Sequence, residues 1–442
     1  MEYMPSIAQL LCLSVEREVE KAASLSEVEQ EIRRQMIEAG RRALDTYLQK
    51  QRPKYPDTTT RCQHCGEECS YVRMRSGRLH TILGQVEYER PYYLCEGCHR
   101  GTYPLDKRLG LRPNQMSAEL ERLGGILGVE TSFGKGSELF ETLTLVGLSN
   151  QSLDKAAQAY GREMEYVEQG WQQEAHDPGQ LAQRQREVRR PLRLYGSLDA
   201  TKVHIRGDKE HPWRDLKIGA WFEARGQPPQ QPNGEWHIRA ENITYFTDIC
   251  PANEFTNLFW ATGVQNNAHL ARELVILGDG AEWIWNLVAE NFPDAIQIVD
   301  WFHACEYLMP VAKAVCKDAD KQADWVRQVK TELWHGRVDA VIAACERHLN
   351  LSREDDPAQK AITYFSNNKE RMDYAAYRKN GYQIGSGTIE SAAKQIGLLR
   401  MKVPGAIWNL ESARYVAKAR AAYLSGHWHF LAQRRSHLPL AA

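Results

Sequence analysis

Val275-Ile276-Leu277-Gly278-Asp279-Gly280-Ala281 is an apolar run that ends in Gly-Asp-Gly and leads into a helical pattern. Such a run, bounded by turn residues and rich in β-branched side chains, reads as a buried strand feeding a helix. Glycines on both sides of Asp279 let a metal or a phosphate approach its carboxylate closely. The design has a counterpart upstream in Leu194-Tyr195-Gly196-Ser197-Leu198-Asp199-Ala200-Thr201, where Asp199 sits in an otherwise apolar strand. An unpaired carboxylate is costly in that position.

Around this run, segments 192–198, 202–205, 216–223 and 243–249 read as strands, with a Pro/Gly-rich loop at 226–234. A helix at 255–264, a strand at 274–277, a helix from Ala281, a strand at 295–299 and a helix from His303 follow. Strands in a meander and then in alternation with helices give a mixed α/β domain. Residues 305–380 are almost wholly helical, with a break at 351–357, and read as an inserted module.

The chain has 442 residues, enough for roughly three domains. Its 56 basic and 57 acidic residues nearly cancel, which excludes a histone-like basic excess and leaves any nucleic-acid partner to local patches. An apolar fraction of 43% with 26% charged residues argues for packed cores and against disorder. No apolar run approaches the ~20 residues that cross a bilayer. The best N-terminal candidate, 7–15, is short, contains Gln9 and is followed by Glu16. A soluble, cytoplasmic protein is expected, in a reducing compartment because the ten cysteines are not dense.

Four of those cysteines form two pairs, Cys62-x-x-Cys65 and Cys95-x-x-Cys98, which can present four thiolates tetrahedrally to a structural Zn²⁺. The stretch between the pairs is β-rich: 71–74, a Ser76-Gly77 turn, 79–83 and 86–93. Arg61, Arg73, Arg75, Arg78 and Arg90 around it suggest DNA. Ahead of it, Leu25, Val28, Ile32, Met36, Ala39, Ala43 and Tyr47 fall on one face of a helix that Ser24 and Glu27 can cap. That face can pack on its own domain or on a second copy. Behind it, helices at 139–146 and 153–160, with Ser149 or Ser152 as cap, outline a helix-turn-helix or a plain helical hairpin. A polar segment at 176–190 with Pro178-Gly179 reads as a boundary, and the basic run at its end, Arg184, Arg186, Arg189, Arg190 and Arg193, is either solvated or in contact with phosphate.

Glu390, in Gly385-Ser386-Gly387-Thr388-Ile389-Glu390-Ser391-Ala392, is a third acidic residue at a glycine-rich turn into a helix. Singly, each of the three acids is more often structural than catalytic. Together, hard carboxylate oxygens suit Mg²⁺ or Mn²⁺, and two such ions about 3.5–4 Å apart can clamp the attacking and leaving oxygens of a phosphoryl displacement. After Ser391 there are eight basic residues (Lys394, Arg400, Lys402, Arg414, Lys418, Arg420, Arg434, Arg435) against one acidic, Glu411, and a basic helix can follow a phosphate backbone. Lys394, Arg400 and Lys402 are the nearest of these to Glu390. Trp408 and Trp428 read as core or interface, and Asp248 and Asp294 as surface residues.

Asp199, Gly278-Asp279-Gly280, the helical insertion and Gly385 to Ser391 together resemble the DDE transposases with an RNase H-like core. More narrowly the chain resembles the bacterial ISKra group of insertion-sequence transposases, of Mutator-like plan, over about residues 190–425. Asp300-Trp301-Phe302-His303 is similar to the aspartate-x-x-histidine element of such enzymes. The resemblance implies that Asp199, Asp279 and Glu390 hold the Mg²⁺ or Mn²⁺ ions and that His303 lies by the active site. The implied partner is double-stranded DNA, both transposon ends and target, handled by a homodimer or larger assembly.

The expected fold is therefore multidomain α+β: an RNase H-like α/β core at 192–304 and 381–415 carrying an all-helical insertion at 305–380. It is preceded by a helical region at 1–60, a zinc ribbon at 61–110, a helical, helix-turn-helix-like region at 111–178 and a basic linker at 179–191, and is followed by a basic tail at 416–442. The competing expectations are a metal-dependent nuclease that cuts without joining, and a zinc-ribbon DNA-binding regulator whose acids are relics.

Overall fold

A computed structural model of the chain describes residues 24–54, 56–111, 115–188, 190–207, 209–229, 231–232, 234–350, 355–385 and 387–437; the side chains of 115, 388–390 and 437 lie outside the description. The protein is mixed α+β with two sheets, and it divides into two compact units, residues 1–159 with 429–442, and residues 160–428.

The first unit opens with α1 (Leu25–Gln51), whose N-cap Ser24 accepts from the backbone N–H of Glu27 at 3.3 Å. A five-stranded sheet follows: β1 (Thr59–Arg61), β2 (Glu68–Thr81), β3 (Gly84–Cys95) and β4 (Gly101–Thr102) lie side by side, and β5 (Gln115–Met116) adds to β2. Strand β2 runs straight through the expected Ser76-Gly77 turn, and the hairpin reverses at Ile82-Leu83 instead. Gly77 lies opposite Tyr88, and a Cβ there would come 2.8 Å from the tyrosine ring. The glycine makes room across the strands, where the sequence suggested a reversal. Helix α1 packs on this hairpin through Leu44 and Leu48 against Leu79, Val86, Tyr88 and Leu105. The expected apolar stripe is not what it buries: Leu25, Met36 and Tyr47 are exposed.

After α2 (Pro104–Leu109) come α3 (Ala118–Glu130), α4 (Phe133–Thr144) and α5 (Asn150–Ala175), the last contributing residues to both units. Ser149 accepts from the N–H of Ser152 at 3.2 Å and so starts α5. Leu120, Phe140, Leu148 and Leu153 form the core between these helices. Arg435, from the C-terminal segment of this unit, forks onto Glu121 at 2.7 and 2.9 Å.

In the second unit, α6 (Pro178–Glu187) occupies much of the expected linker, because Asp177 caps it and Pro178 suits its first turn. The second sheet comprises β6 (Arg193–His204), β7 (Trp213–Arg225) and β8 (Arg239–Asp248) as an antiparallel meander. It is completed beyond β6 by β9 (Glu273–Gly278) and β10 (Ile296–Val299), both parallel to β6. The order across the sheet is β10-β9-β6-β7-β8. Helix α7 (Ala252–Gln265) precedes β9 and lays Phe255 and Phe259 against Trp221 and Phe246. The inner strands are buried along their length, Leu194 to Leu198 and Val275 to Gly278, as the apolar runs predict for a sheet covered on both faces.

Helix α8 (Glu282–Asn291) links β9 to β10, and α9 (Trp301–Glu306) follows β10. The described chain is then helical through α10 (Leu308–Val315), α11 (Ala319–Trp334), α12 (Val338–Glu346), α13 (Pro357–Asn368) and α14 (Tyr374–Lys379). Helix α15 (Gly387–Ala392) returns to pack on β6 and β7 and continues as a π-helical stretch, Ala393–Met401, ahead of α16 (Leu410–Leu424). Among the described residues no helix is long and apolar enough to cross a membrane.

Candidate functional site

Asp199 and Asp279 stand side by side. The parallel pairing of β6 with β9 ends at Leu198 opposite Gly278, so Asp199 is the next residue of β6 and Asp279 the first residue beyond β9. Both are half-buried where fully buried runs reach the surface. The carboxyl ends of parallel strands are where α/β sheets present ligands. Asp199 Oδ1 accepts from the N–H of Ala200 at 2.6 Å, and Asp279 Oδ1 from the N–H of Ala281 at 2.8 Å, which orients each carboxylate on its own backbone. The two are hard oxygen donors on neighbouring strands, a donor set that suits Mg²⁺ or Mn²⁺.

Glu390 lies on α15, which packs against the strand carrying Asp199, but its side chain is among those outside the described residues. The approach to that helix is fixed by the N–H of Trp301 donating to Ile384 O at 2.9 Å and by the N–H of Gln383 donating to Tyr195 Oη at 3.2 Å.

Asp300 is fully buried and caps α9, accepting from the N–H of His303 at 2.6 Å. The same oxygen is 3.4 Å from His303 Nδ1, an ion-pair distance without hydrogen-bond alignment. The carboxylate beside it pushes His303 up to about 9, against the opposing effect of burial. The imidazole is therefore a cation at neutral pH, half-buried at the start of a helix that follows β10.

Several residues in the neighbourhood carry no sequence signal of their own. Tyr364 Oη donates to Asp279 O at 2.8 Å, Asn368 Nδ2 to Gly280 O at 3.3 Å, and Trp285 Nε1 to Asn368 Oδ1 at 3.1 Å. Tyr307 stacks on Tyr364 with centroids 3.8 Å apart. A Tyr-x-x-x-Asn pair one turn apart on the buried face of a helix is the only hint that the sequence holds.

The expected phosphate-contacting cations divide. Arg184 is half-buried and donates to Asn267 Oδ1 at 3.2 Å and Gln265 O at 2.8 Å, which ties α6 to the end of α7. Arg400 is 1% exposed and lies over the Trp408 ring at 4.9 Å, so it does not face a backbone in solvent. Arg186, Arg190, Lys394 and Lys402 are exposed, with Lys402 Nζ donating to Thr201 Oγ1 at 3.2 Å. Arg189 lies outside the described residues.

Two cations of the basic run after Ser391, Arg414 and Lys418, are committed to internal pairs. Lys418 Nζ is 2.5 Å from Glu168 Oε2 and 2.9 Å from Asp248 Oδ2, and Arg414 reaches Asp248 at 2.5 Å and Glu165 at 2.6 Å. Asp248, expected at the surface, is buried in this cluster. Lys418 and Arg414 hold the Asp248 carboxyl low, burial pushes Glu168 up, and the two carboxylates keep Lys418 protonated.

In the first unit the Sγ atoms of Cys62, Cys65, Cys95 and Cys98 lie within 4.8 Å of one another. Cys62 and Cys98 are 3.6 Å apart, and Cys65 and Cys95 3.5 Å. Tetrahedral Zn–S bonds of about 2.3 Å place sulfurs about 3.8 Å apart, so the cluster can hold a metal ion of the size of Zn²⁺. Each pair is a tight knuckle: the N–H of His64 points at Cys62 Sγ at 3.4 Å, and Gly66 closes the loop with φ +78°. Backbone N–H groups draw Cys62 down to about 5 and lower Cys95 as well. Cys69 is fully buried behind the cluster and pushed up to about 11 by burial. Of the arginines around the ribbon, Arg90 is buried against Asp106, which also accepts from Tyr88 Oη at 2.8 Å. Arg61, Arg73 and Arg78 are exposed.

No curated protein matches the chain. An uncharacterised protein family, UPF0236, has a family model that matches residues 18–207, a span that takes in the four cysteines and Asp199 and stops before Asp279, His303 and Glu390.

Proposed function

We propose that the chain is a DDE-type DNA transposase, whose first unit recognises transposon ends and whose second unit cleaves DNA and joins the freed 3′-hydroxyl to a target. The observation that carries this is the register of β6 on β9, which sets Asp199 and Asp279 next to each other where the parallel pairing of the two strands ends. The order of the sheet, a three-strand meander extended by two parallel strands, supports an RNase H-like core. The packing of the helix that carries Glu390 against β6 and β7 supports the third acid.

Divalent cations, when bound, neutralise charge on the attacking and leaving oxygens of phosphoryl transfer. Asp199 and Asp279 supply hard donors for them, with Glu390 as the third. His303, cationic at neutral pH, holds a phosphate oxygen by charge and hydrogen bond. The four-cysteine ribbon is a closed site and positions DNA rather than reacting with it. Two transposon ends must meet, so the working form is a homodimer or larger on DNA, in the cytoplasm.

D279A or E390A should abolish cleavage of DNA while binding persists; retention of full strand transfer by either variant sinks the reading. A nuclease of the same fold would cut an end-mimicking oligonucleotide and never join it. A zinc-ribbon DNA-binding regulator is the second reading, because the four clustered thiols form a metal site that can serve binding without the acids. Divalent-metal binding at the acids separates that regulator from an enzyme.

A further inference from the structure

We infer that Tyr364 and Asn368, on the helical module, are positioning residues for Asp279, and that through them the module sets how tightly the acidic site holds a divalent cation. The inference rests on the reading of Asp279 as a metal-holding acid. One helix, α13, clamps two consecutive backbone carbonyls of the Gly-Asp-Gly turn: Tyr364 Oη donates to Asp279 O at 2.8 Å, and Asn368 Nδ2 to Gly280 O at 3.3 Å. Asn368 is itself held, with its Oδ1 accepting from Trp285 Nε1 at 3.1 Å and its Nδ2 also reaching Tyr364 O at 3.1 Å. The Tyr364 ring is set by Tyr307, stacked at 3.8 Å with planes 12° apart, and Tyr307 directly follows the helix that carries His303.

The turn beneath the clamp admits only glycine. Gly280 has φ +98°, and a Cβ there would lie 2.7 Å from Tyr364 Cε2 and 3.1 Å from Asn368 Nδ2. Glycine leaves the backbone of the turn the most freedom to move. The bond from Ala281 N–H to Asp279 Oδ1 closes the turn locally, but it does not fix the turn relative to β6. The pairing of β9 with β6 holds the strand as far as Gly278, and the clamp ties the residues beyond it to α13 through their carbonyls, which leaves the Asp279 carboxylate for a ligand. Two carboxylates that share cations must keep their separation closely, and a group ordered in advance loses less freedom on binding.

The test is Mn²⁺ titration of the full-length, zinc-loaded protein, followed by electron paramagnetic resonance of the free ion, with thermal melts of each variant. D279A should abolish the site. Y364F and N368A should each weaken Mn²⁺ about tenfold, the worth of one lost bond that orders a ligand, while melting close to wild type. Y307F keeps the ring stack and should bind Mn²⁺ as wild type does. Wild-type affinity in both Y364F and N368A, with D279A inactive in binding, overturns the inference, as does an equal loss in Y307F, which would show that the effect is not specific to the two clamping hydrogen bonds. If Y364F does not fold, N368A decides alone. Undiminished binding by D279A would instead overturn the reading of the acidic site.

Discussion

Replacing Lys418 by Met removes a buried cation from between Glu168 and Asp248 and keeps the length of the side chain. The Lys418 side chain is 1% exposed, that of Glu168 4% and that of Asp248 9%, so water cannot take the place of the lost ammonium. Asp248 retains Arg414, which bonds it at 2.5 and 3.0 Å, but Glu168 loses the cation 2.5 Å from it. Breaking a buried pair from one side costs about 3–5 kcal/mol, a shift of roughly two to three and a half decades in the folded-to-unfolded ratio. Urea titration of the full chain, followed by tryptophan fluorescence, measures it. The deficit should depend on pH with a definite sign. Burial raises Glu168 in the folded state, so its protonated form is the one the fold favours, and stability falls as pH rises above the unfolded carboxyl range near 4.3. K418M should therefore be worse at pH 8 than at pH 5. The double variant K418M/E168L, with an apolar pair in place of the ionic one, should regain most of the loss. A single-variant cost below about 1 kcal/mol, the level of an exposed ion pair, would refute the argument.

Two further outcomes are expected. The purified chain should carry one Zn²⁺, and chelation or C62S should raise hydrogen exchange across β2 and β3, since a four-thiolate site contributes directly to folding; unchanged exchange in metal-free protein contradicts this. The His303 imidazole should titrate near 9 by NMR, and D300N, which keeps the cap acceptor, should bring it down towards 6.5. Because the folded value is raised, the Asp300 pair stabilises fully below the unfolded value of about 6.5 and is lost as pH rises through about 9; wild-type titration below 7 would disprove the pairing.

The sheet that carries the aspartates was legible because its information is local. Apolar runs such as Leu194 to Leu198 and Val275 to Gly278 are continuous, and the glycines around Asp279 mark its turn. What escaped depends on partners far along the chain. Lys418 and Glu168 are 250 residues apart, and no window of sequence joins them. Acids at 165 and 168 beside the buried Met164 and Val167, facing cations at 414 and 418 beside the buried Val416 and Ala417, are the signal that could have exposed the pairing. Gly77 misled for the opposite reason: a turn and a cross-strand contact with Tyr88 demand the same residue. Helix α1 offers two apolar faces, and the hairpin uses the one with Leu44 and Leu48.

The internal commitment of Arg184, Arg400, Arg414, Lys418 and Arg435 changes how the proposed DNA complex should respond to salt. Each phosphate neutralised by a lysine or arginine releases condensed counterions and steepens the dependence of log K on log salt by about 0.9. Of the candidate cations, Arg186, Arg190, Lys394 and Lys402 are exposed, which limits the slope from this set to about −4. The second unit would then hold DNA with a shallow ionic-strength dependence and little non-specific grip, leaving residence on DNA to the fit of the transposon end itself.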